Sequence, residues 1–223
     1  MDQKPPEKDQ LTQWNAVYET NRDFFGAAPS ELGERALKLF HEEGTRKVLE
    51  LGCGQGRDTW LFVRDGLKVT AVDYSRSGIC QMQGVADSVG CSDDVNLLIL
   101  DGRQPFPFPD SCFDAVYSHM FFTMELREKE IAAILAECLR VLRPGGINIY
   151  SVRNDHDPHF GKGPHKGEDM WQNPIGFVVH YFSEEKVRRL AKGYQIEMIR
   201  EFEDTSPPFT KKLYEVVLRK PRA

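Results

Sequence analysis

Leu49-Glu50-Leu51-Gly52-Cys53-Gly54-Gln55-Gly56-Arg57-Asp58 is the stretch on which the fold turns. It closes a short apolar run that begins at Lys47 and reads as a buried strand, and a helical pattern follows near residues 57–65. Three alternate glycines let the backbone turn tightly and lie against a ligand that side chains there would strike. The helix N-terminus beyond them points N–H groups at an incoming anion. Asp73, twenty-one residues past Gly52, ends the next strand pattern. A carboxylate at that place can accept from both hydroxyls of a ribose.

Working outward, short apolar runs at 68–72, 95–100, 113–118 and 147–152 alternate with helical patterns, one from Ser75 to about Val89 and one over 125–142. Such alternation predicts βαβ units and a parallel sheet. The run 95–100 is almost wholly apolar, as a central parallel strand is. Arg143-Pro144-Gly145-Gly146 is expected to separate the 125–142 helix from the fifth strand. Residues 1–10 read as a disordered lead, and residues 11–43 as a helical cap whose second helix starts at Ser30. After the fifth strand comes a Gly-, Pro- and His-rich loop over 153–176, a short helix from Ser183, and strands at 195–202 and 212–219. Those two lie too close together to enclose a helix and are expected to pair antiparallel. The predicted fold is one α/β domain over residues 1–223: a Rossmann-like, doubly wound, mostly parallel sheet with one antiparallel strand at the C-terminal end.

Composition narrows the function. With 29 Lys and Arg against 34 Asp and Glu, the net charge is −5, which argues against retention on nucleic acid or anionic lipid by bulk charge. Five cysteines without a CxxC pair argue against a zinc cluster or a secreted disulfide framework. No apolar stretch approaches membrane-spanning length, and residues 1–10 lack the apolar core of a secretory leader. The expectation is a cytoplasmic protein.

A dinucleotide fingerprint asks for glycine where Arg57 stands, so a NAD-type oxidoreductase is the weaker alternative. The Glu-x-Gly-x-Gly-x-Gly spacing from Glu50 to Gly56 resembles motif I of the class I S-adenosylmethionine-dependent methyltransferases. The resemblance runs from about Tyr18 to the C-terminus. It includes Val69-Thr70-Ala71-Val72-Asp73-Tyr74-Ser75, Leu100-Asp101-Gly102, Phe113-Asp114-Ala115-Val116-Tyr117-Ser118-His119 and Leu139-Arg140-Val141-Leu142-Arg143-Pro144-Gly145-Gly146. It implies S-adenosyl-L-methionine as cofactor, with S-adenosyl-L-homocysteine as product. Gly52, Gly54 and Gly56 would shape the methionine-binding turn, and Glu50 would reach the ligand ammonium. Asp73 would hold the ribose and Tyr74 flank the adenine. Asp101 would accept from the adenine amino group, with the Gly102 N–H on a ring nitrogen. Ser118 and His119 would stand at the sulfonium end, and Tyr18, Cys53, Asp58 and Ser75 complete the cofactor-binding set. The stretch Gly176-Phe177-Val178-Val179-His180-Tyr181-Phe182-Ser183-Glu184-Glu185 loosely resembles the tellurite-resistance and small-molecule methyltransferase group.

Methyl transfer from a sulfonium asks chiefly for alignment, which is worth up to about 7–11 kcal/mol in well-oriented systems. A general base is required only where the acceptor carries a high-pKa proton. His119 and His180 are the candidate catalytic side chains. Phe24-Phe25, Phe121-Phe122 and the 153–176 loop would wall the acceptor pocket, the loop as a lid closing with Phe160, Trp171 and Phe177. His156, Asp157, His159 and His165 are potential metal donors, but no regular element fixes their spacing, and no metal is expected. The expected partner is a small-molecule acceptor rather than nucleic acid or membrane. Methylation of protein or nucleic acid is the alternative, without the basic patch, recognition domain or Asn-Pro-Pro-Tyr-type motif that it calls for.

Overall fold

A computed structural model describes residues 9–90, 93–206 and 209–222. Two helices, α1 (Gln10–Thr20) and α2 (Glu31–Glu42), precede β1 (Lys47–Leu51). Then α3 (Thr59–Arg64), β2 (Lys68–Asp73), α4 (Arg76–Val89), β3 (Val95–Ile99) and β4 (Phe113–His119) alternate as the sequence predicts. They are followed by α5 (Glu128–Val141), β5 (Leu142–Arg153), β6 (Met170–Gln172), β7 (Val178–His180), α6 (Glu184–Leu190), β8 (Gln195–Asp204) and β9 (Lys211–Arg219). Seven strands form one sheet in the order β3-β2-β1-β4-β5-β9-β8. β1 to β5 pair in parallel, and β9 runs antiparallel to both of its neighbours.

Strand periodicity assigns the two layers. Val48, Val69, Ala115, Tyr117 and Ile149 face a core shared with Leu32, Phe40, Phe62 and Met82 of α2, α3 and α4. Their neighbours Leu49, Leu51, Val116, Tyr150 and Val152 face the opposite way, against Ile131, Leu135 and Cys138 of α5 and Val187 of α6. Successive side chains of a strand point to opposite faces, so strands covered on both sides must be apolar throughout.

Four expectations are corrected. β3 is the outer strand of the sheet, not a central one, and Ile99 is 49% exposed. Its apolar run comes from packing under α4, which an edge position also allows. β5 runs on from α5 without a break, because Gly145 turns at φ +77° and its N–H is taken by the Lys220 carbonyl at 2.9 Å. The 153–176 loop is not structureless: it carries β6, which pairs antiparallel with β7. Residues 9 and 10 do not belong to a disordered lead, since Asp9 caps α1 and Gln10 is buried. The rest of that lead, residues 1–8, lies outside the described residues. Among the described residues no helix is long and apolar enough to cross a membrane.

α1 lies over the sheet's carboxyl edge as a roof. Gln10 Nε2 donates to the Val178 carbonyl of β7 at 2.9 Å, and its Oε1 accepts from the Glu125 N–H at 2.9 Å. Trp14 packs on Phe177 with ring centroids 4.6 Å apart and stacks on Tyr18 at 5.4 Å. Gln10→Ala would leave the buried Val178 carbonyl unpaired, at about 1–3 kcal/mol, and release the part-buried Glu125 N–H. Amide exchange in α1 and β7 should then quicken at least tenfold while β1 to β5 keep their protection; unaltered exchange in α1 would show that this glutamine does not clamp the roof.

Candidate active site

The parallel strands β1 to β5 deliver their C-terminal ends to one edge, where ligands of open α/β sheets bind. A cavity of ≈ 1330 Å³ opens there. Its wall takes Glu50, Gly52, Cys53 and Gly54 from the end of β1, Asp73 and Tyr74 from β2, and Asp101 and Gly102 from the β3 turn. His119 and Arg153 come from the ends of β4 and β5, and Tyr18, Trp14 and Phe177 from the roof.

The β1 turn is built as the glycine spacing predicts, for a different reason. Gly52 and Gly54 sit at φ +68° and +56°, a left-handed backbone that other residues adopt at a cost. A Cβ on Gly52 would come within 2.7 Å of the Phe121 ring, and one on Gly54 within 2.8 Å of the Tyr18 hydroxyl. The collision that excludes side chains here is with the protein's own aromatics. Phe121 also sits 2.7 Å from where a Gly102 Cβ would lie, so one ring bridges the β1 and β3 turns.

Asp73 ties this turn to the next helix. Its Oδ2 accepts from the Gly54 N–H at 2.9 Å and its Oδ1 from the Ser75 N–H at 2.8 Å. Burial raises its pKa against those backbone donors. Glu50 is buried, accepts from Thr59 Oγ1 at 2.6 Å, and is pushed up to about 8 by desolvation and then by the charge of Asp58. Tyr74 is also raised, chiefly by burial and then by Asp73. Asp101 sits lower than usual because Arg103 grips it, with Nε at 2.9 Å and Nη2 at 2.7 Å.

Several predicted residues serve the frame, and of these only Asp58 also reaches the cavity wall. Asp58 accepts from the Ser30 N–H and hydroxyl, both at 2.7 Å, and from the Tyr117 hydroxyl at 2.6 Å. Ser75 caps α4 through the Gly78 N–H at 3.2 Å and donates to Asn15 of α1 at 2.8 Å. Ser118 is fully buried, and a Cβ on Gly56 would meet Met82 and Trp60; neither residue reaches the cavity wall.

The two histidines part company. His180 is a core residue, contrary to expectation. Its Nδ1 donates to the Leu126 carbonyl at 2.6 Å, its Nε2 accepts from the Lys186 ammonium at 2.9 Å, and its ring stacks on Phe182. Burial and then the Lys186 charge lower its pKa. Glu128 and Glu168 bring carboxylate oxygens near His180, but Lys186 already supplies the positive charge at that point, with Glu128 Oε1 3.4 Å away. His119 does line the cavity. Ser151 Oγ accepts from the Met120 N–H at 3.0 Å and shares a hydrogen bond with His119 Nδ1 at 2.7 Å, while His119 Nε2 faces Asp204 Oδ2 at 3.5 Å.

Of the four potential metal donors, Asp157 and His159 bond each other and Arg153, while His156 bonds Glu201 and His165 bonds the Glu168 carbonyl. Of the aromatics expected to close a lid, Phe177 reaches the cavity, while Phe160 and Trp171 pack on one another and on Tyr181. Sequence reasoning missed Lys211 and the roof residue Trp14 as wall residues. Nothing in the β9 sequence marks Lys211, because only the antiparallel return of that strand brings it to this edge.

Glu50 gives the site a measurable pH signature. Its folded pKa of about 8 lies above its usual value of 4.5, so the folded state holds the extra proton between the two. Stability must then fall as pH rises through that window. Glu50→Gln should flatten the decline between about pH 5 and 8 in urea titrations, by a few kcal/mol in total; an unchanged slope would place the ionisation elsewhere.

Residues 48–146 match a family model described as a methyltransferase domain. A malonyl-[acyl-carrier protein] O-methyltransferase of Serratia marcescens is 25% identical over 83% of this chain and 68% of its own length. A tRNA N(3)-methylcytidine methyltransferase, Mettl2 of Drosophila melanogaster, is 28% identical over 64% of this chain and 46% of its own. This chain thus spans about two thirds of one of these relatives and less than half of the other. Among solved structures, the PH0226 protein of Pyrococcus horikoshii OT3 superposes with a TM-score of 0.72 at 22% identity, over 92% of this chain and 98% of that one. That likeness is one of fold.

Proposed function

We propose that this chain, a class I S-adenosylmethionine-dependent methyltransferase, transfers the cofactor's methyl group to a small-molecule acceptor beneath the roof of α1 and the β6–β7 hairpin. The observation that carries the reading is the pair of buried carboxylates, Glu50 and Asp73, in a cavity covered by its own N-terminal helix. Carboxylates taken out of water this far are stabilised by a cationic or hydroxyl-rich ligand, and an amino acid joined to a nucleoside is both. Bound S-adenosylmethionine would supply a methyl already activated on a sulfonium, with a neutral leaving group.

The residues have distinct tasks. Asp73 spends one lone pair per oxygen on Gly54 and Ser75 and keeps the others for ribose hydroxyls. Glu50 faces the ammonium end, Tyr74 lies beside the base, and the Asp101–Gly102 turn meets the edge of the base. Trp14, Tyr18 and Phe177 exclude water. His119, held by Ser151 at Nδ1 and facing Asp204 with Nε2, positions the acceptor. The covered cavity and the acidic net charge favour a small molecule over a tRNA, the substrate named for one relative.

S-adenosylhomocysteine should raise the melting temperature and NAD should not; the reverse order would overturn the assignment. Charge-assisted bonds to a carboxylate are worth about 1.5–3 kcal/mol, so Asp73→Ala should weaken S-adenosylhomocysteine binding by about tenfold or more in a calorimetric titration. Unchanged affinity would remove the ribose role. If α1 and the 153–176 loop, with the β6–β7 hairpin that it enters, act as a lid over the cavity, the same ligand should slow amide exchange in both. Equal exchange with and without ligand would make them a static wall.

A further inference from the structure

Among the cations on the wall of the cavity that holds His119 are Arg57, Arg153 and Lys211. These three are withdrawn from water, with side chains 13%, 7% and 5% exposed. Their carboxylate partners differ in grip. Asp157 holds Arg153 by two bonds, at 2.9 and 2.6 Å. Asp58 stands 4.0 Å from Arg57, with both oxygens committed to Ser30 and Tyr117. Asp204 Oδ2 stands 3.8 Å from Lys211. Neither of those two distances is a hydrogen bond. Lys211 donates to the Ser206 carbonyl at 2.8 Å and hydroxyl at 3.3 Å, and an ammonium has three protons to give. Burial lowers the Lys211 pKa, and repulsion from Arg153 and Arg57 opposes the pull of Asp204.

We propose that the acceptor carries a carboxylate and that Lys211 and Arg57 bind it at this part of the cavity wall. The proposal rests on the methyltransferase reading only for the premise that the acceptor enters this cavity. Buried cations that repel one another and are loosely paired gain from an added negative charge. A carboxylate fits better than a doubly charged group, because each cation already has one carboxylate near it. Its two coplanar oxygens also match the fork of a guanidinium. Phe25 lies 5.9 Å from the Arg57 guanidinium, and Phe209 lies 5.9 Å from the Lys211 ammonium and 5.8 Å from that of Arg153. Both rings line the cavity, so the body attached to the carboxylate is apolar. Anchoring that group fixes the direction from which the rest of the acceptor approaches, and with it which atom receives the methyl.

Matched acids and amides test this: phenylacetate against phenylacetamide and octanoate against octanamide, titrated calorimetrically into protein saturated with S-adenosylhomocysteine. At least one acid should bind tenfold or more tightly than its amide. Lys211→Gln should reduce that preference to within threefold, Lys211→Arg should keep it, and both variants should hold S-adenosylhomocysteine within threefold of the parent. Equal binding of acid and amide, binding of neither, or a preference that survives Lys211→Gln overturns the proposal. A loss of S-adenosylhomocysteine affinity beyond tenfold in Lys211→Gln also overturns it, by giving the lysine to the cofactor's own carboxylate. Failure of the unsubstituted protein to bind S-adenosylhomocysteine would defeat the methyltransferase premise and the proposal with it; a parent that binds it but prefers no acid defeats the proposal alone.

Discussion

One carboxylate holds the site together. Asp73 accepts the Gly54 N–H of the β1 turn with one oxygen and the Ser75 N–H at the head of α4 with the other. Neither donor has a partner within its own element. The carboxylate therefore sets how far the glycine turn stands from α4. Ser75 passes that constraint on through its hydroxyl to Asn15 of α1. The roof and the floor of the cavity are thus referred to one buried group. Asp58 does the equivalent work one turn further on, fastening the start of α3 to Ser30 before α2 and to Tyr117 in β4.

The cavity wall carries buried charge of both signs. Glu50 and Asp73 are buried and their pKa values are raised. Arg57, Arg153 and Lys211 sit in front of carboxylates of which only the Asp157 pair is tight. Burial pushes Asp204 up, yet the His119 and Ser206 donors and the charge of Lys211 outweigh it and leave the carboxyl well below the usual range. Fixed charges of this kind bias the orientation of a charged ligand that enters. Trp14, Tyr18 and Phe177 add apolar surface to the same wall, and beside such surface opposite charges attract more strongly.

Much of this was legible in the sequence, because parallel strands must be apolar on both faces and glycines mark turns with left-handed backbone. The bounds of β1, the Ser75 cap of α4 and the antiparallel return of β9 were open to such reasoning. Tertiary pairing was not. An apolar run reads alike at the centre and at the edge of a sheet, and β3 proved to be at the edge. His180 shares the residue type of a catalytic group, and only the Leu126 carbonyl and the Lys186 ammonium, brought in from α5's approach and from α6, identify it as core. Lys211 had no local signature, since its role comes from a strand that meets β5 through the sheet alone.

The position of β9 has a consequence for how the molecule assembles. It lies between β5 and β8 although it follows both in the chain. As a ribosome releases the chain from its N-terminus, β1 to β5 can pair while the rest is still being made, but β8 joins the sheet only through β9, once β9 is made and has paired with β5. Long-range pairings of this kind close slowly. The part of the cavity wall built from β1, β2 and β3 is therefore a product of early folding, and its Lys211 of the final step. A nascent chain stalled before that pairing would already present Glu50, Asp73 and Asp101 together but not Lys211.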